Sequence, residues 1–159
     1  MPAILGSGFT ARLLGNVRDK EGLTYGIYGY LANDTFSDGD FRIAGTFSPA
    51  LLDKGIASTQ RQLNLWYQDG VTDQEVADRK TNLVGTFKVN LATTDGMANQ
   101  LLATVNRGLP LTWLDTYPTE IAALTPAQIN GAIKKHLNPD KMILIKAGTI
   151  PGAVSGTAK

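Results

Sequence analysis

Apolar positions recur along this chain at two spacings, and each spacing predicts its own element. Phe9, Leu13, Leu14 and Val17 repeat at helical intervals with Thr10, Arg12 and Asn16 between them, which predicts an amphipathic helix ending near Asp19 to Glu21 and stopped by Gly22. Leu23 to Ala32 is rich in Tyr, Ile and Leu and reads as a strand. Asn33 to Gly39 is a turn, and its Asp38-Gly39 pair is a hairpin signal. Phe41, Ile43 and Phe47 then alternate with Arg42 and Thr46, so a second strand should pair antiparallel with the first.

Helices dominate the rest of the chain. Ser48-Pro49 offers an N-cap and a proline at the first helical position, Leu52, Ile56, Leu63 and Trp66 mark one face, and Gly70 closes the helix. Thr72 to Glu75 matches a capping box, and Val76, Leu83, Val84, Phe87 and Leu91 lie along the helix it starts. A break near Thr93 to Gly96 leads to a further helix through Leu101, Leu102 and Val105. Pro110 and Pro118 bracket a segment expected to be irregular. Thr125 to Gln128 is a second capping box, and its helix runs to about Leu137. Met142 to Ile145 is a short apolar run, expected as the last strand. The order predicts an α+β fold: an antiparallel or mixed sheet with helices packed on one face, in two layers.

The 159 residues suit one compact domain. We place it over residues 1–150 and expect 151–159, rich in Gly, Ala, Ser and Thr, to be a flexible tail. With 15 Lys+Arg against 14 Asp+Glu, the chain makes no electrostatic case for nucleic acid, which demands concentrated positive charge. No stretch approaches the roughly 20 apolar residues that span a bilayer, so no membrane partner is expected. Cysteine is absent, which removes thiol chemistry but leaves the compartment open. The bacterial periplasm is our expectation for it. The single histidine, His136, has no second histidine to share a zinc ion with, and a solvated place at a helix end suits it best.

Candidate chemistry is sparse. Gly6-Ser7-Gly8-Phe9-Thr10-Ala11 resembles a G-x-G-x-x-A phosphate loop, but only Ala3-Ile4-Leu5 precedes it and a hairpin follows, a poor context for nucleotide binding. The acidic residues sit mostly at turns and caps, and no serine lies in G-x-S-x-G. Val17 to Gly26 is more informative. Arg18 closes a helix, a charged turn follows, and Tyr25 opens a glycine-spaced strand. A guanidinium and a phenol converging there would hold a peptide carbonyl or its oxyanion. By spacing alone the alternative is a capping arginine and a core tyrosine. Tyr25 shares strand parity with Leu23 and Ile27, which points it inward unless the strand begins after it.

Leu5 to Leu14, read as L-G-x-x-F-x-x-R-L, and Val17 to Tyr25, read as V-R-x-K-x-G-L-x-Y, resemble the insulinase/pitrilysin-like metallopeptidases, of which the mitochondrial processing peptidase is a member. The likeness is to the non-zinc, inactive or C-terminal half, and it extends over roughly Leu5 to Pro151. The resemblance implies the processing-peptidase-like half-domain fold, here lacking its first strands. It also implies a partner half, on the same polypeptide or a separate subunit, that carries H-x-x-E-H and zinc; this chain holds no metal of its own. Arg18 and Tyr25 match the family's arginine and tyrosine seven residues apart. They would contact a peptide substrate, Tyr25 at the scissile carbonyl or its oxyanion and Arg18 along the backbone. Gly6 and Gly8 match a glycine-rich substrate loop. Without the zinc motif the chain alone should be inactive. With its first strands missing, the exposed sheet offers a surface for homo-oligomers. The alternative is a non-catalytic structural or assembly module of the same fold.

Overall fold

The computed structural model describes residues 2–8, 10–35 and 39–149; the predicted tail at 151–159, together with Phe9 and Asp38, lies outside them. The chain opens with a short helix α1 (Pro2–Gly6), followed by a π-helix (Leu14–Lys20). Strands β1 (Thr24–Ala32) and β2 (Asp40–Phe47) come next, then helices α2 (Leu52–Asp69), α3 (Asp73–Leu91), α4 (Thr94–Asn106), α5 (Trp113–Ala123) and α6 (Pro126–His136). The two strands form an antiparallel hairpin sheet in the predicted order, with Ile27 opposite Gly45 and Tyr30 opposite Arg42. The class is α+β, with the helical share larger than the sequence suggests.

The core lies between β1, the π-helix, α2 and α6. Leu5, Leu13, Val17, Ile27, Trp66 and Ile133 are fully enclosed. Each such side chain contributes about 1.5–3 kcal/mol of transfer free energy, so this cluster is what the surrounding elements gather on. α1 reaches β1 through glycine. A methyl group on Gly6 would stand 2.0 Å from the Gly29 nitrogen, so the two backbones touch only because neither residue carries a side chain. On the other side of α3, Phe87 packs on Tyr117 with ring centres 4.5 Å apart, and Trp113 on Tyr117 at 4.9 Å.

Four expectations need correction. The first helix is not a regular α-helix: the Asn16 side-chain amide donates to the Arg12 carbonyl (2.8 Å), and the backbone continues in the wider π register, with the Glu21 N–H donating to the Asn16 carbonyl (3.0 Å). The segment around Pro110 to Pro118 is not irregular, because α5 runs through Pro118. The lost backbone bond is offset by the aromatic packing of Trp113 and Tyr117. Ser48 sits in N-cap conformation but makes no side-chain cap, and a 3₁₀ turn (Pro49–Leu51) leads into α2. Met142 to Ile145 forms no strand. It shares with β2 and α2 the walls of a groove of about 1210 Å³, and among the described residues β2 pairs with β1 alone. Lys146 ties the segment to Asp53 on α2 (3.0 Å).

Both capping boxes form, on Thr72 with Glu75 and on Thr125 with Gln128. The first is extended by Arg12, whose guanidinium grips both Glu75 oxygens (2.5 and 2.7 Å) and the Gly70 carbonyl (2.8 Å). Burial pushes the Glu75 carboxyl up, but Arg12 and the Thr72 N–H and hydroxyl outweigh it and hold the group below its ordinary 4.5. A carboxylate depressed in the folded state adds stability above that ordinary value and loses it as pH falls through the folded value. Chemical denaturation should therefore show stability dropping as pH is lowered below 4.5, with Glu75→Gln flattening that drop. Arg12→Ala should cost about 2 kcal/mol at neutral pH. An unchanged denaturation midpoint in both variants would remove this contact from the account.

Candidate functional site

Arg18 and Tyr25 meet at the junction of the π-helix and β1. The helix ends through the left-handed Gly22 (φ 63°), with the Gly22 N–H on the Arg18 carbonyl (2.9 Å) and the Leu23 N–H on the Val17 carbonyl (3.0 Å). This reversal carries the chain back past Arg18, whose guanidinium carbon lies 5.1 Å from the centre of the Tyr25 ring. Asp19 lies 3.6 Å from the Arg18 Nε. The turn is pinned to α2 by Glu21, which accepts from Ser58 (2.9 Å) and Arg61 (2.6 Å). Desolvation raises the Glu21 carboxyl, yet these two hydrogen bonds and the Arg61 charge bring it below its usual value, so it is ionised at neutral pH.

Strand parity aims Tyr25 inward with Ile27, yet Tyr25 is 86% exposed while Ile27 is buried. The cause is a break in register: Thr24 opposes Phe47 and Gly26 opposes Thr46, leaving Tyr25 without a partner. This extra residue is a β-bulge, and it turns the phenol out of the core. Thr24 braces it. Its hydroxyl accepts from the Gly26 N–H (3.1 Å), and its proton faces the carbonyls of Gly26 (3.0 Å) and Thr46. Sequence reasoning missed Thr24 because alternation alone cannot show an inserted residue. The signal available was a threonine and a glycine flanking the tyrosine.

The other candidates lie elsewhere. Gly6 is buried at the Gly29 contact, and Gly8 is exposed with φ 88° beside the Arg79 guanidinium. Arg79 reaches the Ser7 carbonyl, and the Ser7 hydroxyl donates to the Gly29 carbonyl (3.2 Å), so the Gly6–Gly8 turn is held against β1. The Gly6-Ser7-Gly8 stretch lacks a phosphate loop's context because Ala3-Ile4-Leu5 is helical rather than a strand. His136 is exposed at the end of α6. Among the described residues, no cluster of three or more His, Asp or Glu side chains could hold a metal ion. No helix of the described residues is long and apolar enough to cross a membrane. The site presents a guanidinium and a phenol hydroxyl side by side. Such a pair binds and polarises oxygen acceptors.

The description "Peptidase M16 inactive domain" belongs to the family profile that matches residues 1–83. The chain is 29% identical over 138 residues to the Helicobacter pylori protein "Non-peptidase homolog YmxG", covering 86% of this chain and 31% of that protein. It is 24% identical over 156 residues to the Bacillus subtilis "Uncharacterized zinc protease YmxG", covering 93% and 36%. A crystal structure of a peptidase M16 inactive domain from Pseudomonas fluorescens superposes with a TM-score of 0.78 at 32% identity, over 88% of this chain and 33% of that one. The chain thus spans about a third of the length of these relatives.

If the Thr24 hydroxyl holds the bulge, Thr24→Val should speed hydrogen exchange of the Gly26 amide by about tenfold, and Thr24→Ser should leave it near the unsubstituted rate. Equal exchange in all three forms, followed by NMR, would show that the bulge stands without the hydroxyl.

Proposed function

The chain belongs to the peptidase M16 inactive-domain family, and from that premise we propose that it is the substrate-positioning half of a zinc-dependent endopeptidase, catalytically incomplete alone. Zinc and the water it activates would sit on a partner half, supplied by the same polypeptide or by another subunit. Tyr25 donates its phenol proton in a hydrogen bond to the carbonyl oxygen of the bound peptide, and the bond strengthens as that oxygen gains charge. Arg18 binds backbone carbonyls beside it and, stacked on the ring, limits its swing. Gly8 is the glycine left open to a passing peptide, while Gly6 serves through its packing on Gly29. One observation carries this reading: the bulge turns Tyr25 to solvent directly beneath the Arg18 guanidinium.

A second reading, a non-catalytic structural or assembly module, is favoured by the name of the Helicobacter pylori relative, "Non-peptidase homolog". One experiment separates the two. In the full-length protein combined with its zinc-bearing half, Tyr25→Phe should lower turnover of a peptide substrate by about 10²–10³-fold. Arg18→Ala should chiefly raise KM. Turnover untouched by either change would favour the module.

Among the described residues β2 pairs with β1 alone, and its other edge borders a groove of mixed apolar and polar lining; from this we separately propose that this chain in isolation pairs with a second copy through that edge. Sedimentation velocity should show a dimer that grows with concentration. A monomer at every concentration would overturn the proposal.

A further inference from the structure

Three tyrosines stand exposed along β1, and one of them is placed unlike an ordinary surface residue. Tyr28 is 51% exposed. Its ring does not stand away from the sheet but lies back along the strand over Gly26. A Cβ on Gly26 would be 3.3 Å from the Tyr28 Cε2 and 3.4 Å from its hydroxyl oxygen. Gly26 is not needed for its backbone, since its φ lies outside the left-handed region. What its missing side chain provides is room for that ring. Ala44, opposite Tyr28, is also small, so nothing large on β2 faces the ring at that position. The Tyr28 hydroxyl thus ends beside the residue that follows Tyr25. Among the described residues no hydrogen bond reaches it.

We infer that Tyr28 is a second peptide-binding phenol, which takes the backbone carbonyl of an extended substrate two residues along from the one that meets Tyr25. This rests on the proposal that Tyr25 contacts the reacting carbonyl. Residues of an extended chain rise about 3.3 Å each and successive carbonyls point to opposite sides, so acceptors facing one way recur about every 6.6 Å, and a peptide running along this face brings a second one to a hydroxyl displaced along β1. Tyr28 meets a carbonyl that does not change charge in the reaction. Its hydrogen bond is therefore made equally in the ground state and the transition state, and it sets KM rather than kcat. Tyr28 is accordingly a binding residue, distinct in kinetics from its neighbour.

The test uses the full-length protein with its zinc-bearing half, and a quenched-fluorescent decapeptide selected from a random-sequence library by cleavage with the unsubstituted protein. Tyr28→Phe should raise KM about five- to tenfold and leave kcat within about threefold. Gly26→Ala, whose new methyl crowds the ring and its hydroxyl at 3.3 and 3.4 Å while leaving both phenols in the chain, should raise KM in the same way. The double variant should be no worse than the more affected single one, because the second change removes a contact already lost. An unchanged KM in Tyr28→Phe overturns the inference, whether or not the glycine variant folds. If Tyr25→Phe then still lowers kcat, the oxyanion role of Tyr25 survives that failure. A KM effect at Tyr28 with no kcat effect at Tyr25 would do the opposite: peptide binding on this face stands and the oxyanion role falls. No peptide cleaved by the unsubstituted protein overturns both.

Discussion

A single guanidinium adds a polar clasp to three parts of the chain that also share the apolar core. Arg12 lies just before the π-helix, Gly70 ends α2, and Glu75 lies in the first turn of α3. By binding a carboxylate and a helix-terminal carbonyl at once, Arg12 satisfies a backbone acceptor and neutralises a half-buried charge. The turn at Gly22 is measured from the end of the π-helix, and Glu21 anchors its far side on α2. The turn between Arg18 and Tyr25 is thus tied to α2 by Glu21 and follows the same π-helix that Arg12 precedes.

Much of the fold was legible in the sequence because it rests on local signals. The two capping boxes, the stop at Gly70 and the hairpin each depend on residues within a few positions of one another. The failures at Met142 to Ile145, in α5 and on α4 share a cause in long-range partners, whereas the π register and the uncapped Ser48 are local. Met142 to Ile145 has a strand's composition, but a strand exists only with a neighbour, and the groove beside β2 supplies none. Pro118 punctuates α5 on paper, yet contacts with Phe87 on another helix carry the helix across it. Leu102 and Val105 have the apolar character of a buried face, but α4 leaves them exposed and encloses Thr104 instead.

At the site, residue identity could be read but orientation could not. The seven-residue spacing of Arg18 and Tyr25 is visible in the sequence, whereas strand parity aims the phenol the wrong way. An inserted residue reverses parity without leaving a mark in composition. Only the pairing of Thr24 with Phe47 and of Gly26 with Thr46 exposes it.

The hairpin is held very differently along its two sides. On the β1 side, bare backbone meets bare backbone at Gly6 and Gly29, a joint with no side-chain torsions to relax and no slack to take up. On the β2 side, Phe41 packs on Trp66 and the Phe47 ring fills the space beside Gly55 of α2, while the strand also borders the groove. The glycine seam works as a keyway: a side chain added at Gly6 would have to push away the strand that carries Tyr25 and Tyr28.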